Sequence, residues 1–267
     1  MLRRLLPGLM LLPLLMGAEY LGGKAFESSR SLSGDVYRIT LFDRALSPEQ
    51  CADAAGSAYD EISRVLAKYA AEPAAADALD DEGKRLWDQK QRFLALSGGE
   101  PVIVWDELVR AFALDAAAES LLRQGVQSAL IEGEGILRCV GSPREAEVWR
   151  FAIEHPTDVE RAFAALVLDR PATIATAGSY DRLPDPRTGR PTEPNGIASV
   201  TVIAKDALTA HAAARSFFRL GLEKGHELID GLKPEWAGAV CVTEDEAGRF
   251  GISITEGMDT KLKDVSL

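Results

Sequence analysis

From Val36 to Phe42 the chain alternates apolar and polar positions, with Tyr37, Ile39 and Leu41 on one side and Arg38 and Thr40 on the other. A period of two places these residues on the opposite faces of a half-buried strand. Ser47-Pro48-Glu49 then supplies a helix start, a hydroxyl at the N-cap and proline at the first helical position, and the spacing behind it predicts a helix to about Glu72. The alanine-rich "PAAADALDDEGK" has no period and reads as a loop, and "PVIVW" at 101–105 reads as a short strand. "DELVRAFALDAAAESLLRQG" returns to helical spacing and stops at Gly125, a natural C-cap.

Beyond Gly125 the pattern is mostly of strands. "SALIEGEG", "ILRCVG", "EVWRFAIEH" and "AALVLD" follow one another with turn residues between them, and "ASVTVIAK" leads into a helix from about Asp206 to Gly221. A short helical segment near 224–231 and the strands "GAVCVTED" and "RFGISITEG" complete the chain. Helices and strands interleave without a strict βαβ repeat. That predicts an α+β fold, one mixed-sheet domain over residues 19–267.

The first eighteen residues belong to a different pattern. Arg3 and Arg4 precede the apolar run Leu5–Gly17, and the small Gly17 and Ala18 close it, the layout of a secretory signal peptide. The run is shorter than the roughly 20 residues of a spanning helix, and Pro7 and Pro13 interrupt it. The expectation is therefore an exported, periplasmic or extracytoplasmic protein, held at the membrane if the leader is uncleaved.

Composition changes the picture in one respect. The 267 residues carry a net charge of −11, which becomes more negative still without Arg3 and Arg4. Such a surface repels nucleic acid and anionic lipid, and a pocket for an anionic ligand must be locally basic or contain a cation. Cys51, Cys139 and Cys241 are odd in number and far apart; an exported chain could pair two of them and leave one thiol over, and the plainer reading of each is a buried small apolar side chain. His155 and His226 have no partners at metal-ligand spacing.

Two stretches carry candidate chemistry. In "ATAGSYDRLPDPRTGRPTEPNG", residues 175–196, turn formers, hydroxyls and charges are dense, and a loop of that length in a compact domain is more often functional than a short one. "TAHAAARSFF" at 209–218 sets His211 and Arg215 four residues apart on one face of an alanine-rich helix. The glycines of "IEGEGI" at 131–136 fit either close backbone approach to a ligand or a simple hairpin.

Taken in order, five segments resemble the ApbE family of Mg-dependent FAD:protein FMN transferases. "SLSGDVYRITLF" is similar to the family's SxMGTxVxIxLY strand, and "ELVRAFALDAAAESLLRQGVQSALIEGEG" to its GIAKGYAVDRAAxxLxxxGVxxALVNxGGD stretch. "PATIATAGSYDR" resembles the TSGxY segment, "DPRTGRP" the HxxDPxTGxP loop, and "SVTVIAKDALTAHAAARSFFRLG" the closing SVTVxAxxxxxADAxATAxFVLG. The resemblance implies binding of FAD, transfer of FMN to a Ser or Thr of an exported or membrane partner protein, release of AMP, and assistance by Mg²⁺.

Carried over position by position, the resemblance is uneven. Thr176, Gly178, Tyr180, Asp185, Thr188 and Gly189 match the family pattern. Ser33 stands where the family has methionine, Arg110 where it has lysine or glutamate, Arg182 where it has histidine and Ala177 where it has serine. By this alignment Ser33, Arg110, Thr176, Gly178, Tyr180 and Asp185 are the flavin-binding candidates. Glu107 falls where a small residue offers oxygen to the metal, and is the candidate metal ligand. The family's metal-binding aspartate and threonine are His211 and Arg215 here, which with Arg182 are the positions of altered catalytic chemistry. Three outcomes stay open: an active transferase with a rearranged site, a degenerate relative that only holds flavin, or a scaffold protein of the same fold.

Overall fold

The computed structural model describes residues 25–43, 45–142, 148–155, 158–193, 195–232 and 237–265; the leader read at residues 1–18 lies outside them. Eight strands form one sheet in the order β1 (Phe26–Leu32), β2 (Asp35–Leu41), β3 (Ser128–Gly133), β4 (Ile136–Gly141), β7 (Thr173–Gly178), β8 (Ile197–Ala204), β9 (Gly238–Glu244) and β10 (Phe250–Ile254). A smaller sheet has β6 (Asp158–Leu168) in the middle, paired with β5 (Trp149–His155) on one side and β11 (Leu262–Lys263) on the other. The α+β class holds. The mixing lies in the order of elements, since each ladder among the described strands is antiparallel.

The large sheet divides two cores. Tyr37, Ile39, Ile131, Val140, Ala175, Ala177, Val200 and Val202 face the helices, while Leu130, Leu137, Cys139, Ile174, Ile203 and Val240 face Trp149, Phe151, Phe163 and Leu166 of the small sheet. β7 and β8 are buried along their whole length because both their faces are covered. The period-two signal that marks β2 is therefore absent from them. For this reason residues 175–178 of β7 lie inside the stretch whose turn formers suggest a loop.

Helix α1 (Pro48–Lys68) begins as expected: Ser47 Oγ accepts from the Gln50 amide at 3.2 Å and Gln50 returns the contact to the Ser47 amide at 2.8 Å. The expected loop at 73–84 holds as far as Asp80, with a single 3-10 turn at Ala76–Ala78, and its last four residues belong to a helix instead. Asp80 accepts from the Gly83 amide at 3.0 Å and starts α2 (Asp81–Leu96), which buries Gly83, Leu86 and Phe93, too few apolar positions to show a period. The expected strand at 101–105 is also corrected. Val102 and Ile103 are buried as extended chain without a strand partner, and Trp105 already opens α3 (Trp105–Arg123), its indole N–H donating to Tyr69 O at 2.9 Å. The fully paired β1 is polar, "FESSRSL", because it is an edge strand, and its pattern predicts nothing.

Helices α3 and α4 (Ala207–Leu220) are buried nearly all round, and α5 (Leu222–Gly231) follows after a single glycine. Alanines along both helices let them approach closely, and a buried carboxylate fixes their relative position. Asp115 of α3 accepts from the amides of Ala207 and Leu208 at 2.9 and 3.0 Å and from Arg138 Nε at 3.0 Å. These amides open α4 and have no acceptor within their own helix. Burial nevertheless pushes the Asp115 carboxyl up to about 6, against the pull of Arg138 and the two amides. The three cysteines are buried and free, as the reading of them as small apolar residues expects.

Replacing Asp115 by alanine leaves two amides and a guanidinium unsatisfied inside the core. The expected loss is about 2–4 kcal/mol of unfolding free energy, measured by urea unfolding followed by circular dichroism. Asp115→Asn, which keeps one acceptor oxygen, is expected to lose less; equal stability of all three proteins contradicts the assignment.

Candidate functional site

Two hairpin turns meet at one end of the large sheet. Leu32 pairs with Asp35 and Gly133 with Ile136, so Ser33-Gly34 and Glu134-Gly135 are two-residue loops. All four residues have positive φ: 52°, 93°, 53° and 74°. That is the backbone of a type I′ turn, which matches strand twist but is costly for a residue with a side chain at the first position. The hairpin reading of "IEGEGI" is thus the correct one, and it makes Glu134 project from a constrained loop.

Arg110, one and a half turns into α3, binds these turns together. It contacts Asp35 in a short ion pair, Asp106 at 2.7 Å and Glu134 at 3.3 Å. Beneath them the Tyr37 hydroxyl is buried with no hydrogen-bond partner, and burial raises its proton affinity well above the ordinary phenol range. A Cβ at Gly133 would lie 2.5 Å from the Tyr37 ring, so that ring is gripped by the strand beside it.

The last strand of the site, β7, ends at Gly178 and turns at Ser179–Asp181. Tyr180 folds back over the glycine, where a Cβ would stand 2.3 Å from the ring. Asp181 accepts from the Gly178 amide at 2.9 Å; its burial raises the carboxyl's proton affinity, which Arg215 opposes.

α4 brings the arginines. Arg219 donates to both oxygens of Glu107 at 2.6 and 2.9 Å, to Val102 O at 2.8 Å and to Pro184 O at 3.1 Å, with its side chain 4% exposed. One guanidinium therefore ties α3, the 101–104 segment and the start of the DPRTG loop together. Arg215 lies one turn earlier, 3.9 Å from Glu107, and its Nε is buried without a partner. His211 is a further turn back and 1% exposed, its Nδ1 also without a partner. Burial, then the charges of Arg215, Arg219 and Arg110, hold His211 well below the usual histidine range, so it is neutral at physiological pH.

The order of these segments and the two-layered cover of the sheet have counterparts. The model of the ApbE family matches residues 60–239. The chain belongs to the ApbE family. Among curated ApbE relatives it is similar to the FAD:protein FMN transferase of Escherichia coli (strain K12), 37% identical over 129 residues, which are 44% of this chain and 36% of that protein. The namesake of Haemophilus influenzae is 30% identical over 157 residues, 54% of this chain and 45% of that protein. The matched region thus spans less than half the length of these relatives. Of solved structures, the ApbE protein of Thermotoga maritima superposes with a TM-score of 0.71 at 18% identity, covering 90% of this chain and 100% of that one. The flavin transferase ApbE of Vibrio cholerae gives 0.68 at 18%, covering 89% and 99%. Identities this low speak for the fold.

Within the ApbE fold the candidates separate. Arg110 and Arg215 join one charged cluster with Glu134 and Asp181, with Tyr180 beside it. Ser33 is exposed in the neighbouring turn. Thr176 shares its face of β7 with Ile174, toward the small sheet, and its hydroxyl is 2.9 Å from that of Thr201. Asp185 turns inward on its own loop, accepting from the amide and guanidinium of Arg187, which hold its carboxyl down at about 2. Arg182 is exposed in a left-handed conformation, and among the described residues no hydrogen bond or ion pair joins it to the cluster. Both oxygens of Glu107 are committed to Arg219.

These surroundings do not fit Mg²⁺ at the family's positions. A divalent ion there would face the fixed charge of Arg215 and a nitrogen of His211, where magnesium demands oxygen. No group of three or more His, Cys, Asp or Glu able to hold a metal exists among the described residues.

Asp35, Glu134, Asp181 and Arg219 escape sequence reasoning. Arg219 could have been found as the i+4 partner of Arg215 on the same helix face; the carboxylates become legible only once the turns are seen to converge. Burial, with the hydrogen bond and charge of Asp35 next, raises Glu134 from 4.5 to about 7, Arg110 and Arg215 opposing. The folded chain holds this proton more tightly than the unfolded chain. Glu134 therefore contributes most to stability below its ordinary value and progressively less as pH rises toward its folded value. Glu134→Gln is expected to gain stability relative to the unmodified chain between about pH 5 and about pH 7.5, read from thermal melts across that range; a gap independent of pH contradicts it.

Proposed function

We propose that this chain binds FAD at the converging turns and transfers its FMN portion to a serine or threonine of a partner protein, releasing AMP. Family membership and the names of the curated relatives support the reaction class. The observation that carries the assignment to this end of the sheet is Arg215, which keeps one ion-pair contact at 3.9 Å and a buried unpartnered Nε while carboxylates hold Arg110 and Arg219, a guanidinium suited to a dinucleotide's phosphates in a chain of net charge −11. In the transfer, the acceptor oxygen forms a bond to the FMN-side phosphorus as the bond to the AMP oxygen breaks, and the hydroxyl proton passes to a base or solvent. Such a displacement depends on positioning and on neutralising phosphate charge, both of which bidentate arginines supply. The Arg3-Arg4 leader pattern supports an acceptor on the exported side of a membrane.

The decisive assay incubates the purified chain with FAD and an acceptor protein carrying a flavinylation-type Ser/Thr motif. The expected result is flavin fluorescence that stays with the acceptor after denaturation, with AMP formed in equal amount. FAD binding without AMP would leave a flavin-holding protein and refute transfer; absence of any flavin binding would refute the site itself.

A further inference from the structure

We propose that Arg215 takes the place of a divalent cation in this chain, receiving the pyrophosphate of a flavin dinucleotide so that binding needs no metal. The inference rests on the reading of this end of the sheet as an FAD site. It begins from how the three arginines of the cluster are used. Arg110 is held by Asp35, Asp106 and Glu134. Arg219 is held by both oxygens of Glu107 and by two carbonyls. Arg215 has a single ion-pair contact, at 3.9 Å, to an oxygen that lies 2.6 Å from Arg219.

Arg215 is thus the cation of the cluster whose donors are left over. Its side chain is 13% exposed, so the group is enclosed yet reachable, and its Nε is buried with no acceptor. A buried donor without a partner is costly unless something outside the chain accepts from it. One turn back, the neutral and almost fully buried His211 has an unpartnered Nδ1. Two unpartnered buried nitrogens, four residues apart on one helix, mark where the chain has left polar groups unsatisfied.

The groups around Arg215 favour an anion. Besides Glu107, the carboxyls of Glu134 and Asp181 feel its charge, and burial shifts the proton affinity of both upward, which weakens their hold on it. Tyr180 completes that surrounding, its hydroxyl held protonated by burial. A guanidinium presents paired N–H donors that match two phosphate oxygens, and it stays charged at any physiological pH. It supplies the positive charge that an acidic protein must otherwise import to hold a dinucleotide.

The test titrates the full chain with FAD, following flavin fluorescence, in excess EDTA and in millimolar Mg²⁺. Affinities within about threefold of each other are expected, with inorganic pyrophosphate competing in both buffers. Arg215→Ala is expected to weaken FAD binding at least about tenfold while leaving riboflavin, which has no phosphate, unaffected; Arg215→Lys is expected to fall between. Retained riboflavin binding shows that the alanine variant is folded. Loss of FAD binding in EDTA, an alanine variant that binds FAD like the unmodified chain, or no FAD binding in either buffer overturns the proposal. Metal-free FAD binding without AMP release upholds it and refutes transfer, whereas FAD binding and transfer that both require Mg²⁺ uphold transfer and refute it.

Discussion

The contact between Arg219 and Glu107 organises this end of the molecule. Neither group is tolerable alone where it sits: a guanidinium 4% exposed and a carboxylate 11% exposed each carry a large desolvation cost, which two short charge-assisted hydrogen bonds and two carbonyl acceptors offset. The pair also fixes geometry. Glu107 accepts from the Val104 amide at 3.2 Å, anchoring the start of α3, while Arg219 reaches across to Pro184 and so sets where the DPRTG loop leaves the core. With Glu107 and Arg219 satisfied by each other, Arg215 is left available beside them.

Asp115 performs the complementary task at the opposite end of the same helix pair. There a carboxylate from α3 meets the open amides of α4; here a guanidinium from α4 meets a carboxylate from α3. Fastened at both ends, α4 cannot rotate, and the face bearing His211 and Arg215 is aimed by the core rather than by contacts at the site. A site whose first contacts are preset in this way loses little freedom when a ligand binds.

Local patterning revealed much of the scaffold and little of the site's wiring. Strand β2 and helix α1 are legible because one face of each is wet, and alternation or a capping hydroxyl marks them. β7 is buried on both faces and α2 on only a narrow stripe, so neither carries a readable period. The polar edge strand β1 is held by its ladder to β2, not by its own side chains. Ordered motifs singled out Arg110 and Arg215, which do meet in the cluster, but also Thr176, whose strand face points the other way. Asp35 and Glu134 are 99 positions apart in the chain, and only the pairing of β2 with β3 makes them neighbours.

The amide–carboxylate contacts of Asp115 reach 92 and 93 residues along the chain. Such a closure cannot form until almost the whole domain has been made, and its entropic cost must be met before the contact rewards it. Helices α1 to α3 and the first hairpins lie wholly within the first 141 residues, whereas this closure needs α4. A chain cut short before Ala207 therefore lacks both the amides that satisfy Asp115 and two arginines of the charged cluster, Arg215 and Arg219.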